Sequence, residues 1–310
     1  MGDSVGVIVN PISGRGASRR VLMRLCELLK RDGCEVRLDL TERAGHAAEL
    51  ARRAEDSGSR AIVVVGGDGT VNEAIGGMSG NATPVLVVPA GTENILAKYF
   101  RTRMDAAWLR DVILAGHTTL LDVPTANERR FLMVSGVGFD AECVRRVAMA
   151  RTGRITYANY FLPIWRAFWS YKQPHLRVEV EGERVFDGRG LAIVGNVSRY
   201  AWGLQPAQRA RPDDGLLDVI VYPCSWQGPL LVHATKTVLG CHVNGAGVVY
   251  RQARHIRITA VTETGVEIDG DWGGVTPVDY RMTDRRVRFL VGREFLEQGG
   301  RMGRRSASRT

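Results

Sequence analysis

The sequence has no long hydrophobic run, no closely spaced cysteine pair and no pattern of a secretory leader. No apolar stretch of the 310 residues approaches the roughly 20 that are needed to cross a bilayer, so a transmembrane segment is not expected. The first residues, MGDSVGVIVN, pass directly into a strand pattern without the basic region and apolar core of a signal peptide. Five scattered cysteines argue against a disulfide framework or a zinc site and favour a reducing, cytoplasmic location.

Acidic residues are fewer than basic ones, since 33 Asp and Glu stand against 42 Lys and Arg and leave a net charge of +9. This excess suits nucleic acid, an anionic membrane surface or a phosphorylated substrate as partner. The basic residues are dispersed rather than grouped in a recognisable module, so nucleic acid is not expected. Residues 296–310 form a basic tail, for which a simple solvated segment and contact with anionic lipid both stay open.

The order of apolar segments predicts two domains. Four apolar runs in the first third alternate with helical patterns: Val5–Val9, Val36–Leu40, Ala61–Val65 and Val85–Val88. This alternation indicates right-handed βαβ units, so we expect residues 1–122 to form an α/β nucleotide-binding domain with a doubly wound parallel sheet. The later segments, including Val287–Val291, are short, β-rich and separated by turn residues. They predict a mostly antiparallel, β-sandwich-like substrate and metal domain over residues 123–295.

The stretch AIVVVGGDGTVNEAI, residues 61–75, carries the clearest chemical signal. An apolar strand ends at the turn Gly66–Thr70, and a helical pattern follows. Such a turn presents backbone N–H groups at the positive end of a helix, and its glycines let an anion approach the backbone. The pattern is typical of phosphate binding, with Asp68 placed to face a substrate hydroxyl or a metal ion. An ordinary tight connection between strand and helix is the structural alternative.

Three further polar turns follow predicted strands at the same edge of the sheet, where ligands of such sheets bind. The turn Asn10–Gly14 follows the first strand and is not a Walker sequence, because the GK[ST] ending is missing. Thr41 follows the second strand, and Thr92 and Asn94 follow the fourth. Their structural alternatives are a plain Asn-Pro turn for the first and helix caps for the others.

Six motifs occur in order over residues 5–295 and read NPISG, GGDGTVNE, PAGTEN, GVGFDAE, PDDGLLD and IDGD. They resemble those of the diacylglycerol kinase and sphingosine kinase superfamily, its bacterial soluble lipid-kinase branch especially. The resemblance implies a kinase that uses ATP and Mg²⁺ to phosphorylate a hydroxyl of a diacylglycerol- or sphingoid-like lipid. An NAD kinase-like enzyme, which shares the GGDG chemistry, and a catalytically silent nucleotide- or lipid-binding regulator remain alternatives.

The resemblance also implies roles for individual residues. A structural Mg²⁺ would lie near Asp214, with backbone oxygens from Arg211 and Leu216. The catalytic carboxylates would be Asp68 and one of Asp269 and Asp271, although an exposed Asp-Gly hairpin turn is the alternative for the last two. The nucleotide would be bound by Asn10, Pro11, Ile12, Ser13, Gly14, Thr41, Gly66, Gly67, Asp68, Gly69, Thr70, Val71, Asn72, Glu73, Thr92 and Asn94.

Three departures from the family pattern concern the acceptor. Asp271 stands where the family often has Glu, Ile95 follows Asn94 where Asp is usual, and residues 199–203 replace a glycine cluster. The segment YANYFLPIWRAFWSY, residues 157–171, is rich in aromatic side chains. It suits either contact with lipid at the inner membrane face or a helix packed over the second domain. A homodimer stays an open possibility for the assembly.

Overall fold

The chain divides into two units in a computed structural model that describes residues 4–13, 17–80, 82–149, 165 and 168–297. One unit comprises residues 1–121 and 286–310, and the other comprises residues 122–285. Each unit contains its own sheet and its own hydrophobic core.

Within the described residues, the first unit contains a six-stranded sheet in the order β2-β1-β3-β4-β17-β5. Its strands are β1 Ser4–Val9, β2 Glu35–Leu40, β3 Ala61–Gly66, β4 Val85–Pro89, β5 Thr118–Asp122 and β17 Arg286–Leu290. Its helices are α1 Ala17–Arg31, α2 His46–Asp56, α3 Asp68–Gly77, α4 Ile95–Tyr99, α5 Ala106–Ala115 and α8 Arg293–Glu297. The pairs β1–β2, β1–β3, β3–β4 and β4–β17 are parallel. Every residue of β3 is buried, as a parallel strand covered on both faces requires.

The last strand of the first sheet comes from the far end of the chain. The sequence analysis grouped Val287–Val291 with the β-rich segments, but β17 lies parallel to β4, with Phe289 opposite Val85. Phe289 is fully buried and its ring lies 4.9 Å from that of Phe100. A five-residue strand has the same alternation in either sheet, so its pattern did not reveal its partner. The domain limits at residues 122 and 295 stay predictions.

Within the described residues, the second unit contains an eleven-stranded sheet that follows the order β15-β14-β8-β10-β9-β13-β16-β6-β7, with β11 between β10 and β12. Its first strands are β6 Thr125–Ala126, β7 Arg129–Arg130, β8 Val134–Val137, β9 His175–Val180, β10 Glu183–Gly195 and β11 Leu217–Pro223. The remaining strands are β12 Val249–Ala253, β13 His255–Ala260, β14 Gly265–Ile268, β15 Asp271–Val275 and β16 Val278–Arg281. Its helices are α6 Phe139–Met149, a short 3₁₀ helix Ala201–Gly203 and α7 Gln227–Val238.

The strand pairs of the second unit are antiparallel around one apolar core that includes Phe131, Ile256, Ile258 and Tyr280. The predicted fold class, a parallel α/β domain followed by a mostly antiparallel β-rich domain, is therefore confirmed. Of the helices in the described ranges, none combines the length and the hydropathy that crossing a bilayer requires.

Helix α3 ends in two adjacent glycines whose surroundings differ, and they supply a matched test of packing. A Cβ on Gly77 would lie 2.1 Å from the carbonyl oxygen of Ala48 in α2, whereas a Cβ on Gly76 would meet no atom within 4 Å. We expect Gly77→Ala to lower the free energy of unfolding by about 1–3 kcal/mol through overpacking. Gly76→Ala should raise it by about 0.5–1 kcal/mol, because Ala favours a helix over Gly. Urea denaturation followed by circular dichroism measures both, and similar values for the two variants would contradict this packing.

Candidate functional site

The ends of four parallel strands bring the predicted polar turns to one edge of the first sheet. The backbone N–H of Thr41 donates to the carbonyl of Val9 at 2.8 Å, and that of Asn10 donates to Val65 at 2.9 Å. The N–H of Ala90 donates to Gly66, also at 2.9 Å. These bonds continue the strand pairing by one residue, so the turns after β1, β2, β3 and β4 begin side by side.

The turn after β1 is connected to the glycine turn after β3 through Asn10. The Asn10 Nδ2 donates to Thr70 Oγ1 at 3.0 Å, while its Oδ1 accepts the backbone N–H of Ile12 at 3.0 Å. Thr70 is 8% exposed. Ile12 is 92% exposed and Ser13 is half-buried. Asn10 therefore fixes the turn, and residues after it face outward, while Gly14 lies outside the described residues.

Asp68 connects the turns after β3 and β4. Its Oδ2 accepts the backbone N–H of Ile95 at 3.0 Å and its Oδ1 accepts that of Leu96 at 3.3 Å. These are the first two residues of α4, whose own cap residue, Asn94, makes no side-chain cap bond. Burial raises the pKa of Asp68, and the two backbone donors oppose that rise. Asp68 thus caps a neighbouring helix, a task that the sequence analysis did not assign to it.

Glycine is required where the two turns meet. A Cβ on Gly91 would lie 2.6 Å from the Cα of Gly67, and a Cβ on Gly66 would lie 2.6 Å from the Cβ of Thr70. The Asn94 side chain closes the second turn, because its Oδ1 accepts the Gly91 N–H at 2.8 Å and its Nδ2 donates to the Gly91 carbonyl at 2.7 Å. Asn94 has a φ of 50°, a left-handed conformation that asparagine tolerates better than most residues.

The second acidic residue of the glycine motif is also a helix cap. Glu73 Oε1 accepts the backbone N–H of Ala47 at 2.7 Å, in the first turn of α2. Val71 is fully buried and Asn72 is half-buried. Among the predicted nucleotide-binding residues, those on the exposed side of this edge include Gly69 and Thr92. The N-terminal turn of α3 adds the positive end of a ten-residue helix, which favours an anion such as phosphate.

In the second unit, the predicted metal residues form a tight turn. Asp214 Oδ1 accepts the backbone N–H of Leu216 at 3.0 Å, and Arg211 pairs with Asp213 at 3.2 Å. The adjacent Gly215 donates its N–H at 2.8 Å to the carboxylate of Asp122, a residue that the sequence analysis did not select. Burial raises the pKa of Asp214, and the charges of Asp213 and Asp122 raise it further.

The donor set of this turn suits Mg²⁺ in kind, since the carboxylates of Asp214 and Asp122 and nearby backbone carbonyls are all oxygen ligands. Burial is the main cause of the raised pKa of Asp214, with a smaller contribution from the charge of Asp122, and a bound cation would offset both. In the described ranges, however, no group of three or more His, Cys, Asp or Glu side chains has the geometry of a metal site. Protein side chains alone therefore would not complete the coordination.

Asp269 and Gly270 form the two-residue turn of the hairpin between β14 and β15. Asp269 and Gly270 have φ values of 52° and 85°, and Ile268 pairs with Asp271 across the turn, as in a type I′ hairpin. The Asp269 carboxylate accepts the backbone N–H groups of three consecutive residues at 2.7, 2.9 and 3.1 Å: Leu132, Met133 and Val134. This carboxylate holds a loop in place.

Asp271 differs from its neighbour because its side chain is exposed at the start of β15. Its Oδ2 lies 3.3 Å from Arg129 Nη2, and Arg129 Nη1 donates to the carbonyl of Trp272 at 2.9 Å. The Asp271 side chain is 57% exposed, so an external hydroxyl could reach it. Of the two aspartates, Asp271 is the exposed one and Asp269 is the one held by backbone donors.

Two carboxyl groups with buried oxygen atoms, those of Asp140 and Glu267, lie next to this hairpin. The buried atoms Asp140 Oδ2 and Glu267 Oε1 have no hydrogen-bond donor among the described residues, so these two carboxyl groups can share a hydrogen bond only when one of them carries a proton. Glu267 also accepts the N–H of Gly270 at 2.9 Å, and Tyr200 donates its hydroxyl to Asp140. Burial, then the neighbouring Asp140 carboxyl, raise the pKa of Glu267 well above its ordinary 4.5. A Cβ on Gly136 would lie 2.1 Å from Asp140 Oδ2, so glycine there makes room for the pair.

Each of the two units matches the model of a known protein family. The model of the diacylglycerol kinase catalytic domain matches residues 4–126, and that of the YegS C-terminal NAD kinase beta sandwich-like domain matches residues 133–291. The chain belongs to the diacylglycerol kinase family.

Relatives of this family member match over almost the whole chain. A diacylglycerol kinase of Staphylococcus aureus strain RF122 is 27% identical over 295 residues, which cover 94% of this chain and 93% of the relative. A diacylglycerol kinase of Staphylococcus haemolyticus is 26% identical and covers 94% and 89%. A solved diacylglycerol kinase structure from Bacillus anthracis strain Sterne has a TM-score of 0.70 at 19% identity, with coverage of 94% and 98%. At that identity the structural likeness supports the fold alone.

The features that the sequence analysis missed in this diacylglycerol kinase family member are side-chain pairings. Arg129 and Asp122 lie outside the six motifs, and no local pattern marks them as partners of Asp271 and of the Asp214 turn. The Asp140–Glu267 pair joins positions far apart in the chain. Asp140 lies within the GVGFDAE motif and Glu267 directly precedes the IDGD motif, and these two positions could have drawn attention to the pair.

The carboxyl pair predicts a specific dependence of stability on pH. Because the pKa of Glu267 is higher in the folded than in the unfolded chain, its contribution to stability is fully present below about pH 4.5 and is lost as pH rises toward the folded-state value. In Glu267→Gln, the amide can still accept the Gly270 N–H and donate to Asp140 without a proton to lose. We expect the variant to gain stability relative to wild type as the pH rises from about 5 to about 8. Thermal unfolding at both pH values tests this, and a constant difference would contradict the shared proton.

Proposed function

We propose that this protein is an ATP-dependent lipid kinase that transfers the γ-phosphoryl group to a hydroxyl of a diacylglycerol- or sphingoid-like lipid at a membrane surface. Membership of the family and matches to relatives named diacylglycerol kinase over 94% of the chain support this class of reaction. The observation that carries the proposal is the pair of hydrogen bonds at the sheet edge by which Asp68 caps α4 and joins the turns after β3 and β4. A phosphoryl-transfer enzyme needs such fixed loops, because its catalysis depends mainly on positioning and charge stabilisation.

The nucleotide would lie against the exposed side of these turns. The positive end of α3 and the glycine backbone at Gly69 would face its phosphates, with Thr92 beside them. In this assignment Asp68 and Glu73 act as positioning residues through the helices that they cap. Asn10 keeps the first turn against the second through Thr70.

A bound Mg²⁺ would supply positive charge that relieves the repulsion between acids at the second unit's turn. The residues that would hold it are Asp214, the carboxylate of Asp122 and backbone oxygens of Arg211 and Leu216. Asp271 would accept the proton of the lipid hydroxyl as it attacks, because its carboxylate is the exposed member of the hairpin. Asp269 would keep the hairpin in place through its three backbone donors.

A panel of acceptors tests the proposed activity directly. We expect γ-labelled ATP and Mg²⁺ to give transfer to diacylglycerol, monoacylglycerol, sphingoid bases or ceramide presented in mixed micelles, and no transfer to NAD. Product separation by chromatography and removal of Mg²⁺ with a chelator complete the assay. Transfer to NAD alone would identify an NAD kinase-like enzyme, and nucleotide binding without any transfer would identify a silent regulator.

A conservative substitution tests the proposed base. We expect Asp271→Asn to lower kcat by about 10²–10⁴, the usual contribution of a general base, while ATP affinity and unfolding temperature stay close to wild type. Asp284→Asn is the matched control, because Asp284 is an exposed aspartate of the same unit that also pairs with an arginine, at 3.3 Å. Equal activities of the two variants would exclude Asp271 as the base.

A further inference from the structure

Helix α7 places polar side chains toward the interior of its unit. Its buried residues are Leu230, His233 and Thr237, which share one helical face. His233 Nε2 donates to the carbonyl of Pro223 at 3.0 Å, and the hydroxyls of Thr237 and Tyr222 lie 3.0 Å apart. Burial lowers the pKa of His233, which favours the neutral ring. These polar contacts fix the rotation of the helix about its axis.

The outward face of α7 and its ends is apolar. The exposed fractions of Trp226, Leu231, Val232, Val238 and Leu239 are 62, 47, 52, 70 and 71%, and we call these five residues the α7 apolar face. A surface helix ordinarily shows the opposite arrangement, with its apolar stripe toward the core. Rotation cannot bury this face without breaking the contacts of His233 and Thr237. An apolar surface of this kind marks an interaction site.

Two further exposed tryptophans lie near the start of the same helix. The Gln227 side-chain nitrogen donates to the carbonyls of Phe168 at 2.8 Å and Tyr171 at 3.0 Å, which holds this segment against the first residue of α7. Trp165 and Trp169 are 47% and 56% exposed, with ring centroids 5.6 Å apart. Within the aromatic segment 157–171, residues 157–164, 166 and 167 lie outside the described residues.

In sequence, the charged residues of α7 and its flanks are of one sign. The sequence has no acidic residue between Asp218 and Glu263, a span that contains all of α7 and both of its flanks. Lys236 lies on the helix and Lys172 follows the tryptophan segment. Basic residues near a bilayer are attracted to anionic lipid by about 1 kcal/mol each, whereas carboxylates would be repelled. This composition suits an anionic lipid surface.

We propose that the α7 apolar face, together with Trp165 and Trp169, inserts into the surface of an anionic lipid bilayer. Tryptophan prefers the boundary between headgroups and acyl chains, and aliphatic side chains on one face of a helix enter the layer below it. The proposal rests on the proposed lipid kinase function, because a bilayer is where its acceptor would be found. It adds the side chains that make contact with that bilayer.

Vesicle binding without nucleotide tests the proposal separately from catalysis. The probes are vesicles of phosphatidylcholine alone and of phosphatidylcholine with phosphatidylglycerol, sedimented with the full-length protein. We expect the double substitution Leu231→Ser and Val238→Ser to weaken binding to the mixed vesicles about tenfold or more, since it removes two aliphatic side chains from the layer. The control pair Leu38→Ser and Leu296→Ser changes side chains of the first unit that are 42% and 39% exposed, and it should bind as wild type does.

Quenching of tryptophan fluorescence by lipid is a second readout, and a loss of folding would not produce the same change. Lipids brominated along the acyl chain should quench the wild-type tryptophan emission, and Trp226→Phe should reduce that quenching while its unfolding temperature stays unchanged. Unaltered vesicle binding by the Leu231→Ser, Val238→Ser variant would overturn the proposal. A dimer of the wild-type protein in the absence of lipid would also overturn the proposal if these substitutions dissociated it, because a second copy would then cover the face. Analytical ultracentrifugation measures this. Transfer to short-chain, water-soluble diacylglycerol should persist in the variant, which separates failed docking from failed kinase activity.

Discussion

The Asp68 carboxylate accepts the first two backbone N–H groups of α4, and the edge of the first sheet depends on this contact. Asp68 is also the first residue of α3, so its side chain connects the N-terminus of α3 to that of α4. The carboxylate is costly to bury, as its raised pKa shows, and the N–H donors with the positive end of α4 offset that cost. Because a Cβ on Gly91 would lie 2.6 Å from the Cα of Gly67, the two turns pack directly against each other beside it. These contacts therefore hold the outward surface of the turns in place without a bound ligand.

Several carboxylates in or beside the motifs accept hydrogen bonds from backbone N–H groups. Glu73 caps α2 and Asp269 holds three consecutive amides, and both join segments that are distant in the chain. Glu267 accepts from Gly270, three residues further on. Each satisfies donors that would otherwise be left at a helix start or a loop. An acidic residue in a kinase-like motif is thus explained in part by the fold. Asp271 is different because its partner is the side chain of Arg129 and it remains exposed.

The strands of the first third could be predicted closely because parallel strands buried on both faces read as continuous apolar runs, as Ala61–Gly66 does. The Asp-Gly hairpin could be anticipated as an alternative because few residues accept two successive positive φ values. The sheet to which β17 belongs could not be predicted, since pairing is long-range and its short pattern fits either sheet. The inward face of α7 could not be predicted either. Apolar residues occur on both sides of that helix, and the contacts of His233 and Thr237 select the side that is buried.

Charge is segregated within the second unit in a way that links its two proposed tasks. The acidic turns at Asp214 and at Asp269–Asp271 lie on either side, in sequence, of the acid-free span that contains α7. An enzyme that binds Mg²⁺ and accepts a proton needs carboxylates, but carboxylates in contact with an anionic bilayer would be repelled from it. In the second unit these turns carry acidic residues and α7 carries none. The unit can therefore supply carboxylates for the reaction and still present a helix without carboxylates to the bilayer. The arrangement of α7 fits the same constraint, because His233 and Thr237 make contacts in the interior and the aliphatic side chains proposed to meet lipid lie on the exposed side.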